Sequence, residues 1–536
     1  MGSVGFAEME SCDLLITNGA IVDGTGSPSR HGTIAIKDGR LTLLAAGAPH
    51  PAQIGRVIDA GGKVVGPGFI DLHSHAGLMI LADPRHEPKV RQGVTTEIIG
   101  VDGLSYAPLP AQSDLDALIE MNAGLDGAPD IGASWDSVGD YLDRLGGMAL
   151  NIGLLIGNSA LRISRLGWND VPADDAALAD MCALLRESME AGALGLSSGL
   201  DYPPGAYATT AELASLTGEA ARHGGFYHTH VRYPLGDRYL DPFKEAIEIG
   251  RRGGGPTHIT HFYHRETHPG GPEPLLALID DARAEGLDVT FDMYPYEWAS
   301  TRLLIQMPQW IQEGGPAPLK ERLADSRARD RLRAELRARG AAYASPAGWA
   351  DVRLGYFQSE PNLRWEGLTL ANVMNERGTD AVDTMCDLLL EENLRVNQVT
   401  SGPWAKTMHH FVVHPVGMFG TDSTFIGAKP SPRTYGSYPR VLGEFVRDRA
   451  LLGLEEAVRK MTSAPAARLG LSDRGLLRDR YWADVVVFDP QTIRSNATYD
   501  DPRQFPRGVD YVVVNGEVVV DNGVHTGALA GRVVRR

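Results

Sequence analysis

Eight short apolar runs, spaced by segments of helix length, dominate the middle of this 536-residue chain. They are GFIDLHSH (68–75), VTTEIIG (94–100), NIGLLIGNS (151–159), ALGLSSGL (193–200), FYHTHV (226–231), THITHF (257–262), VTFDMYPY (289–296) and VVHPVGMFGTDS (412–423). Helix-like segments separate most of them. Between the fifth and sixth, Phe243, Ala246, Ile247 and Gly250 follow the i, i+3, i+4, i+7 spacing of a helix that packs one face. A parallel neighbour needs a crossover, so strands alternating with helices pair in parallel, and eight such units close into an α/β fold, the (β/α)₈ barrel of the TIM type.

The two ends have another texture. DLLITNGAIVDGTG and GTIAIKDGRLTLLAAG near the start, and ADVVVFDP and YVVVNGEVVVDNG near the finish, are apolar runs broken by Asn-Gly and Asp-Gly, dipeptides that tight hairpins favour. Neither end has enough apolar residues to close a core alone. Residues 1–65 and 476–536 are therefore read as two parts of one small β-sandwich, with the barrel at 66–475 between them. Residues 101–150 and about 302–405 are too long for plain βα connections. The second includes the charged ADSRARDRLRAELRARG and is expected to lie over the barrel mouth, where long loops shape access.

Composition narrows the partners. Hydrophobic residues are 43% and charged residues 22% of the chain, an ordinary globular mix. No run approaches the roughly 18 apolar residues of a membrane span. The start lacks the basic and apolar regions of a secretory signal, and Phe6 stands where myristoylation wants Ser or Thr. A cytoplasmic protein without a membrane partner is expected. A net charge of −17 disfavours nucleic acid, whose phosphates need a basic surface. Three cysteines are too few for a disulfide framework; Cys182, beside Leu178, Met181 and Leu185 on a helix face, is read as packing. A small molecule is the expected partner, and a homo-oligomer stays open.

The histidines point to the chemistry. An H-x-H pair is a weak signal, since 16 His in this length supply about half of one by chance. Position says more. Residues two apart share a strand face, so His73 and His75 both point inward at the end of the first barrel strand. Glu97, His230, His261 and Asp422 fall near the ends of strands two, five, six and eight, the rim where barrel enzymes gather their catalytic groups. Each alone has an ordinary reading: Asp422 as a helix cap, Glu97 as a solvated charge, His261 as a core histidine. Together the six form a metal site.

With these residues in view, GPGFIDLHSHA followed by RQGVTTEIIG resembles the amidohydrolase superfamily. GLSSGLDYPPGAYAT, YHTHVR, PRTYGSYPRVLGEF, MTSAPAARLGL and HTGALAGRVVRR resemble its N-acyl-D-amino-acid deacylase (D-aminoacylase) group. The likeness runs from about residue 13 to the end and is weakest over 302–405. It implies that His230 and His261 hold a tightly bound metal, and that His73, His75 and Asp422 complete the site or hold a second ion. His228 is left out. One or two zinc ions suit such a set of imidazoles and carboxylates. The chain also departs from the group. Glu97 stands where the cysteine after G-V-T-T is expected, Asn158 replaces the histidine of G-H-S, Tyr263 replaces a lysine that holds the substrate carboxylate, and Ser431-Pro432-Arg433 replaces His-Pro-Arg.

The mechanism expected from this resemblance is hydrolysis of the amide bond of an N-acylated small molecule. Asp422 takes the proton of the attacking water and passes it to the leaving amine. Tyr202 donates to the developing oxyanion. Arg433 clamps a substrate carboxylate, with Ser300 and Tyr263 as further contacts. Preference for D-amino acids comes from the resemblance alone. Opening of a cyclic amide is the alternative, disfavoured because no lysine ends a predicted barrel strand. A non-catalytic scaffold has no use for six ligand-type residues.

Overall fold

The molecule was analysed as a computed structural model, which describes residues 10–45, 47–235, 238–266, 268–340, 343 and 345–535; the reading of the start around Phe6 lies outside them. Five strands open the chain: β1 (Ser11–Ile21), β2 (Arg30–Lys37), β3 (Arg40–Leu44), β4 (Gln53–Asp59) and β5 (Val64–Pro67). Seven follow with helices between most of them: β6 (Phe69–Asp71), β7 (Val94–Ile99), β8 (Asn151–Gly157), β9 (Gly195–Gly199), β10 (Phe226–His230), β11 (Thr257–Ile259) and β12 (Val289–Met293). The insertion carries β13 (Trp298–Arg302), β14 (Val352–Gly355) and β15 (Asn397–Ser401). The chain returns through β16 (Gly417–Phe419) and ends with β17 (Val485–Phe488), β18 (Val509–Val514), β19 (Glu517–Asp521) and β20 (Val524–His525).

The chain ends build one small β-structure. Nine strands join edge to edge, β5 pairing both β1 and β17, and β4 lying alongside β1. Leu14, Ile34, Ile58 and Val65 from the first end share a core with Val485, Val487 and Val513 from the last. Turn chemistry explains the hairpins. Asp38-Gly39 joins β2 to β3 and Asn515-Gly516 joins β18 to β19, all four residues with positive φ (51°, 74°, 49° and 91°), as a two-residue primed turn requires. Asn18-Gly19 makes no hairpin; it lies inside β1, where the register with β2 shifts at a bulge.

Eight parallel strands in chain order, β6 to β12 and then β16, form the barrel sheet. The eighth starts later than the apolar run suggests, because Met408–Val413 is a helix. Ile70, Leu72, Ile98, Leu155, Leu194, Phe226 and Met418 fill the interior as one cluster. Outside, the helix Asp241–Gly253 buries Phe243, Ala246, Ile247 and Gly250, the face read from the sequence. A Cβ on Gly250 would stand 2.0 Å from the Thr257 hydroxyl of β11, so glycine lets helix and strand touch. No helix among the described residues is long and apolar enough to cross a membrane.

The ring closes between the first and last strands. Ser74 and Ser423 form a parallel bridge, His75 N–H donates to Ser423 O (3.0 Å), and Asp422 N–H donates to His73 O (2.8 Å). Asp71, wholly buried, accepts from the backbone N–H of His73 (3.1 Å) and of Thr421 (3.0 Å). Its other oxygen meets the buried Lys89 ammonium, which also lies 3.1 Å from Glu97. Replacing Lys89 by Met leaves two buried carboxylates without their cation and should cost about 3–5 kcal/mol of stability. Denaturant unfolding checks this, and a change below about 1 kcal/mol would mean the pair does not hold the closure.

Candidate metal centre

Beyond the closure, the chain ends of the barrel strands bring four imidazoles and two carboxylates together. His230 ends β10, His261 follows β11, His73 and His75 follow β6, and Asp422 follows β16. Asp102 comes from the turn after β7. Its φ is 52° and that of Gly103 is 73°, and a Cβ on Gly103 would stand 2.5 Å from Asn158 Oδ1. That tight, glycine-dependent turn aims the Asp102 side chain inward.

The distances resolve into two clusters of ligand-type atoms. His230 Nδ1 lies 3.0 Å from His261 Nε2 and 3.6 Å from Asp102 Oδ2, and His261 Nε2 lies 3.9 Å from that same oxygen. Asp422 Oδ1 lies 3.5 Å from His73 Nε2 and 3.3 Å from His75 Nε2. Asp102 stands between the sets, its oxygens 3.5 Å from His73 Nε2 and 3.7 Å from His75 Nε2. All are buried, and neither ring nitrogen of His73 has a hydrogen-bond partner. Nitrogens and carboxylate oxygens at this spacing, shielded from water, fit divalent cations. Among the described residues, three groupings could hold an ion: His73 with Asp102 and His261, His73 with His75 and Asp422, and His73 with His228 and Asp292. In the last, Asp292 Oδ2 is already engaged by His258 Nε2 at 3.1 Å, so we assign it to the floor of the site.

Three of these histidines have a hydrogen-bond partner at the second ring nitrogen. His75 Nδ1 lies 2.8 Å from Asp126, His230 Nε2 lies 3.2 Å from Asp201 and His261 Nδ1 lies 3.5 Å from the Tyr233 hydroxyl, while His73 Nδ1 stands 3.7 Å from Asp292, beyond hydrogen-bond reach. Such partners fix the tautomer and free the inner nitrogen for a metal. They also set the charge. Burial disfavours the imidazolium of His73, but Asp102 and Asp422 outweigh it and raise the pKa to about 10. Burial likewise opposes His230, and Asp102 and Asp201 raise it to about 9. Burial pushes the Asp422 carboxyl up, yet Arg433 and then His73 bring it down to about 2. His228, on the inner floor, is depressed by burial and by His258 and His73.

Two expectations are corrected. Glu97 is not brought to the centre. It has the parity of Ile99, opposite to the interior-facing Ile98, so its carboxylate points out to His86 (2.7 Å) and Lys89. Asp102 takes the place expected for it. Arg433 is not a free clamp: it is fully buried, 2.8 Å from Asp422 Oδ2, and donates to Ser300 O at 3.1 Å. Its reach had no readable destination in the sequence.

The centre opens on a cavity of about 900 Å³. Asp102, His230, His261 and Asp422 form its floor, and Tyr202, Tyr263 and Ser300 are among its lining residues. The Tyr202 ring lies 5.1 Å from that of His230, and its hydroxyl is 3.0 Å from Thr301 Oγ1. Ser300 Oγ lies 3.0 Å from Thr424 Oγ1. The insertion supplies the outer wall through Ile305, Met307, Trp310, Arg339 and Gln398. Asp126, Asp201 and Asp292 were missed by the sequence reading. Asp201 adjoins Tyr202 in the same turn and Asp292 lies within a barrel strand, but no motif marks either.

Comparison with known proteins fits this geometry. A family model described as "Amidohydrolase family" matches residues 56–520. The N-acyl-D-glutamate deacylase of Alcaligenes xylosoxydans xylosoxydans is 33% identical over 98% of this chain and 97% of its own. The D-aminoacylase of the same organism is 32% identical over 99% of each chain. Among solved structures, the N-acyl-D-glutamate deacylase from Bordetella bronchiseptica, complexed with zinc and a phosphonate mimic of the reaction tetrahedral intermediate, superposes with a TM-score of 0.81. It is 31% identical, with 98% of this chain and all of that one covered.

Two measurements test the centre. Asp102→Ala and His261→Ala should each lower bound metal by elemental analysis, while Glu97→Gln keeps it; metal loss in Glu97→Gln with full occupancy in Asp102→Ala would reverse the assignment. Metal also competes with protons, because His73 and His230 are raised to about 10 and about 9 and ligation needs neutral imidazole. Uptake should therefore release protons at neutral pH, and affinity should climb between pH 6 and 9. A flat affinity over that range would contradict the charge assignment.

Proposed function

Because the chain belongs to the amidohydrolase family, and within it to the N-acyl-D-amino-acid deacylases, we propose that it hydrolyses the amide bond of an N-acyl-D-amino acid with zinc as the bound ion. The observation that carries this is the pair of ligand sets sharing Asp102 at the floor of the cavity. His230, His261 and Asp102 would hold one ion, and His73, His75 and Asp422 a second. Bound there, zinc would lower the pKa of water toward neutrality and polarise a carbonyl.

The protein's own groups do the rest. Asp422 borders the cavity, and Arg433 keeps it ionised between turnovers, ready to accept the proton of the attacking water and hand it to the departing amine. The Tyr202 hydroxyl, steadied by Thr301, donates to the oxygen that becomes negative. Asp201 and Asp126 hold the His230 and His75 imidazoles in orientation. Opening of a cyclic amide gains no support, since the buried Lys89 is occupied by Asp71 and Glu97 rather than standing among the ligands.

The direct test is amine release from paired D- and L-N-acyl amino acids by zinc-loaded and by chelated protein, read by chiral chromatography. Release from the D series alone, abolished by chelation, is expected; release from neither series by fully loaded protein would refute the substrate. Asp422→Asn should lower kcat by about 10²–10⁴-fold while His230 and His261 still hold metal. Near-normal turnover would remove Asp422 from the proton path.

A further inference from the structure

Arg302 is a fully buried cation with no part in the metal sets or the proton path. It ends β13 and is 1% exposed. Its Nη1 donates to Met121 O (2.6 Å) and to Asn122 Oδ1 (2.5 Å), both neutral acceptors, and its Nε has no hydrogen-bond partner. Burial pulls its pKa down to about 10, so the guanidinium stays charged at neutral pH. Taking an arginine out of water is costly unless negative charge answers it, and those two contacts supply none.

Two parts of the candidate site lie against this charge. The first is the C-terminal end of the helix Gln112–Asp126, to which Met121 and Asn122 belong and which a cation suits. Its last residue, Asp126, holds His75 Nδ1 at 2.8 Å. The second is Tyr202. The guanidinium carbon of Arg302 stands 5.1 Å from the centroid of the Tyr202 ring, inside the roughly 6 Å over which a cation is drawn to an aromatic face. The residue before it, Thr301, meets the same tyrosine at its hydroxyl, 3.0 Å away. Thr301 is itself held, its carbonyl accepting from Asn397 Nδ2 (3.1 Å), which also donates to Gly124 O (2.8 Å). Two adjacent residues of one strand thus fix Tyr202, one at the hydroxyl and one at the ring. Tyr202 borders the cavity, whereas Arg302 is not among its lining residues.

We propose that Arg302 is a positioning residue for amide hydrolysis that acts through Tyr202, packing behind the phenol ring and adding positive charge behind the hydroxyl that donates to the developing oxyanion. The guanidinium touches no substrate. Shielded from water, a fixed cation acts more strongly than it would in solution, and being in place beforehand it needs no reorganisation as the oxyanion forms. A phenol backed by a cation also donates its proton to a hydrogen bond more readily. The neutral carbonyl of the bound substrate gains little from this, so the effect falls on kcat rather than on KM. Capping of the helix does not explain the placement, since an exposed arginine would serve that end equally well. This rests on the deacylase reading and on the part it gives to Tyr202.

The test is a double-substitution cycle on zinc-loaded protein, with wild type, Arg302→Gln, Arg302→Lys, Tyr202→Phe and each arginine variant combined with Tyr202→Phe. Each is assayed on N-acetyl-D-leucine and N-acetyl-D-glutamate, with zinc content measured alongside. Arg302→Gln should lower kcat about 10- to 30-fold at little change in KM or zinc. Arg302→Lys, which keeps the charge but not the planar group, should fall between it and wild type. Beside Tyr202→Phe both losses should vanish, because no phenol is left to act through. A phosphonate mimic of the tetrahedral intermediate should lose affinity by the same factor as kcat, while D-leucine binds unchanged. A loss that persists in full beside Tyr202→Phe, or that follows zinc content or KM, would make Arg302 a structural cap and overturn this role; so would an unchanged kcat in whichever variants fold. Failure of the underlying reading shows separately. Wild type that hydrolyses neither substrate removes the deacylase, near-normal kcat in Tyr202→Phe removes the phenol, and either result takes this role from Arg302 as well.

Discussion

A single buried carboxylate, Asp71, ties the beginning of the barrel to its end. With two backbone N–H groups, one from each closing strand, and with Lys89 behind it, it fixes how β6 and β16 sit side by side. A buried ion pair of this kind contributes less to stability than its Coulomb energy suggests, because both partners lose their hydration. Its effect here is geometric. By setting the register of His73 against Asp422 across the closure, it brings His73, His75 and Asp422, from opposite ends of the barrel sequence, close enough to share an ion. Without that register the H-x-H pair would lose Asp422 and keep Asp102 beside it.

Around this closure the protein concentrates negative charge. Four imidazoles are ringed by Asp102, Asp422, Asp126, Asp201 and Asp292, all but Asp201 buried. The arrangement is costly for a protein without cations and favourable for one that binds them, since each carboxylate either faces a cation or holds a histidine in the tautomer that ligates. Three residues of the site, Asp102, His261 and Asp422, adopt positive φ (52°, 35° and 48°), conformations that non-glycine residues avoid at a cost of about 1–3 kcal/mol each. The surrounding fold holds them there.

Much of this was readable from residue order. The barrel followed from alternating strand and helix patterns, and His230, His261 and Asp422 from their places at strand ends, because strand parity and the catalytic rim are properties of sequence position. Glu97 and Asp102 show the limit. Both are acidic and both lie near the end of β7, but parity turns Glu97 outward, while a positive-φ turn beyond the strand turns Asp102 inward. A reading that stops at the strand end selects the wrong carboxylate. Arg433 and Arg302 show a second limit. A long side chain can reach any of several partners, and only packing decides that Arg433 meets Asp422 while Arg302 meets the ring of Tyr202.

The barrel and the insertion divide the work between them. The barrel rim supplies the candidate ligands, whereas residues 299–301, 305–310, 339, 343, 398 and 400 supply much of the cavity wall and none of those ligands. The candidate ligands and much of the cavity wall are thus encoded in separate stretches of chain, the second built around the small sheet β13–β15–β14. Substitutions in the wall can re-shape what fits without disturbing the ion beneath, so a new acyl specificity can be grafted, or can drift, one loop at a time while the hydrolytic step is inherited unchanged.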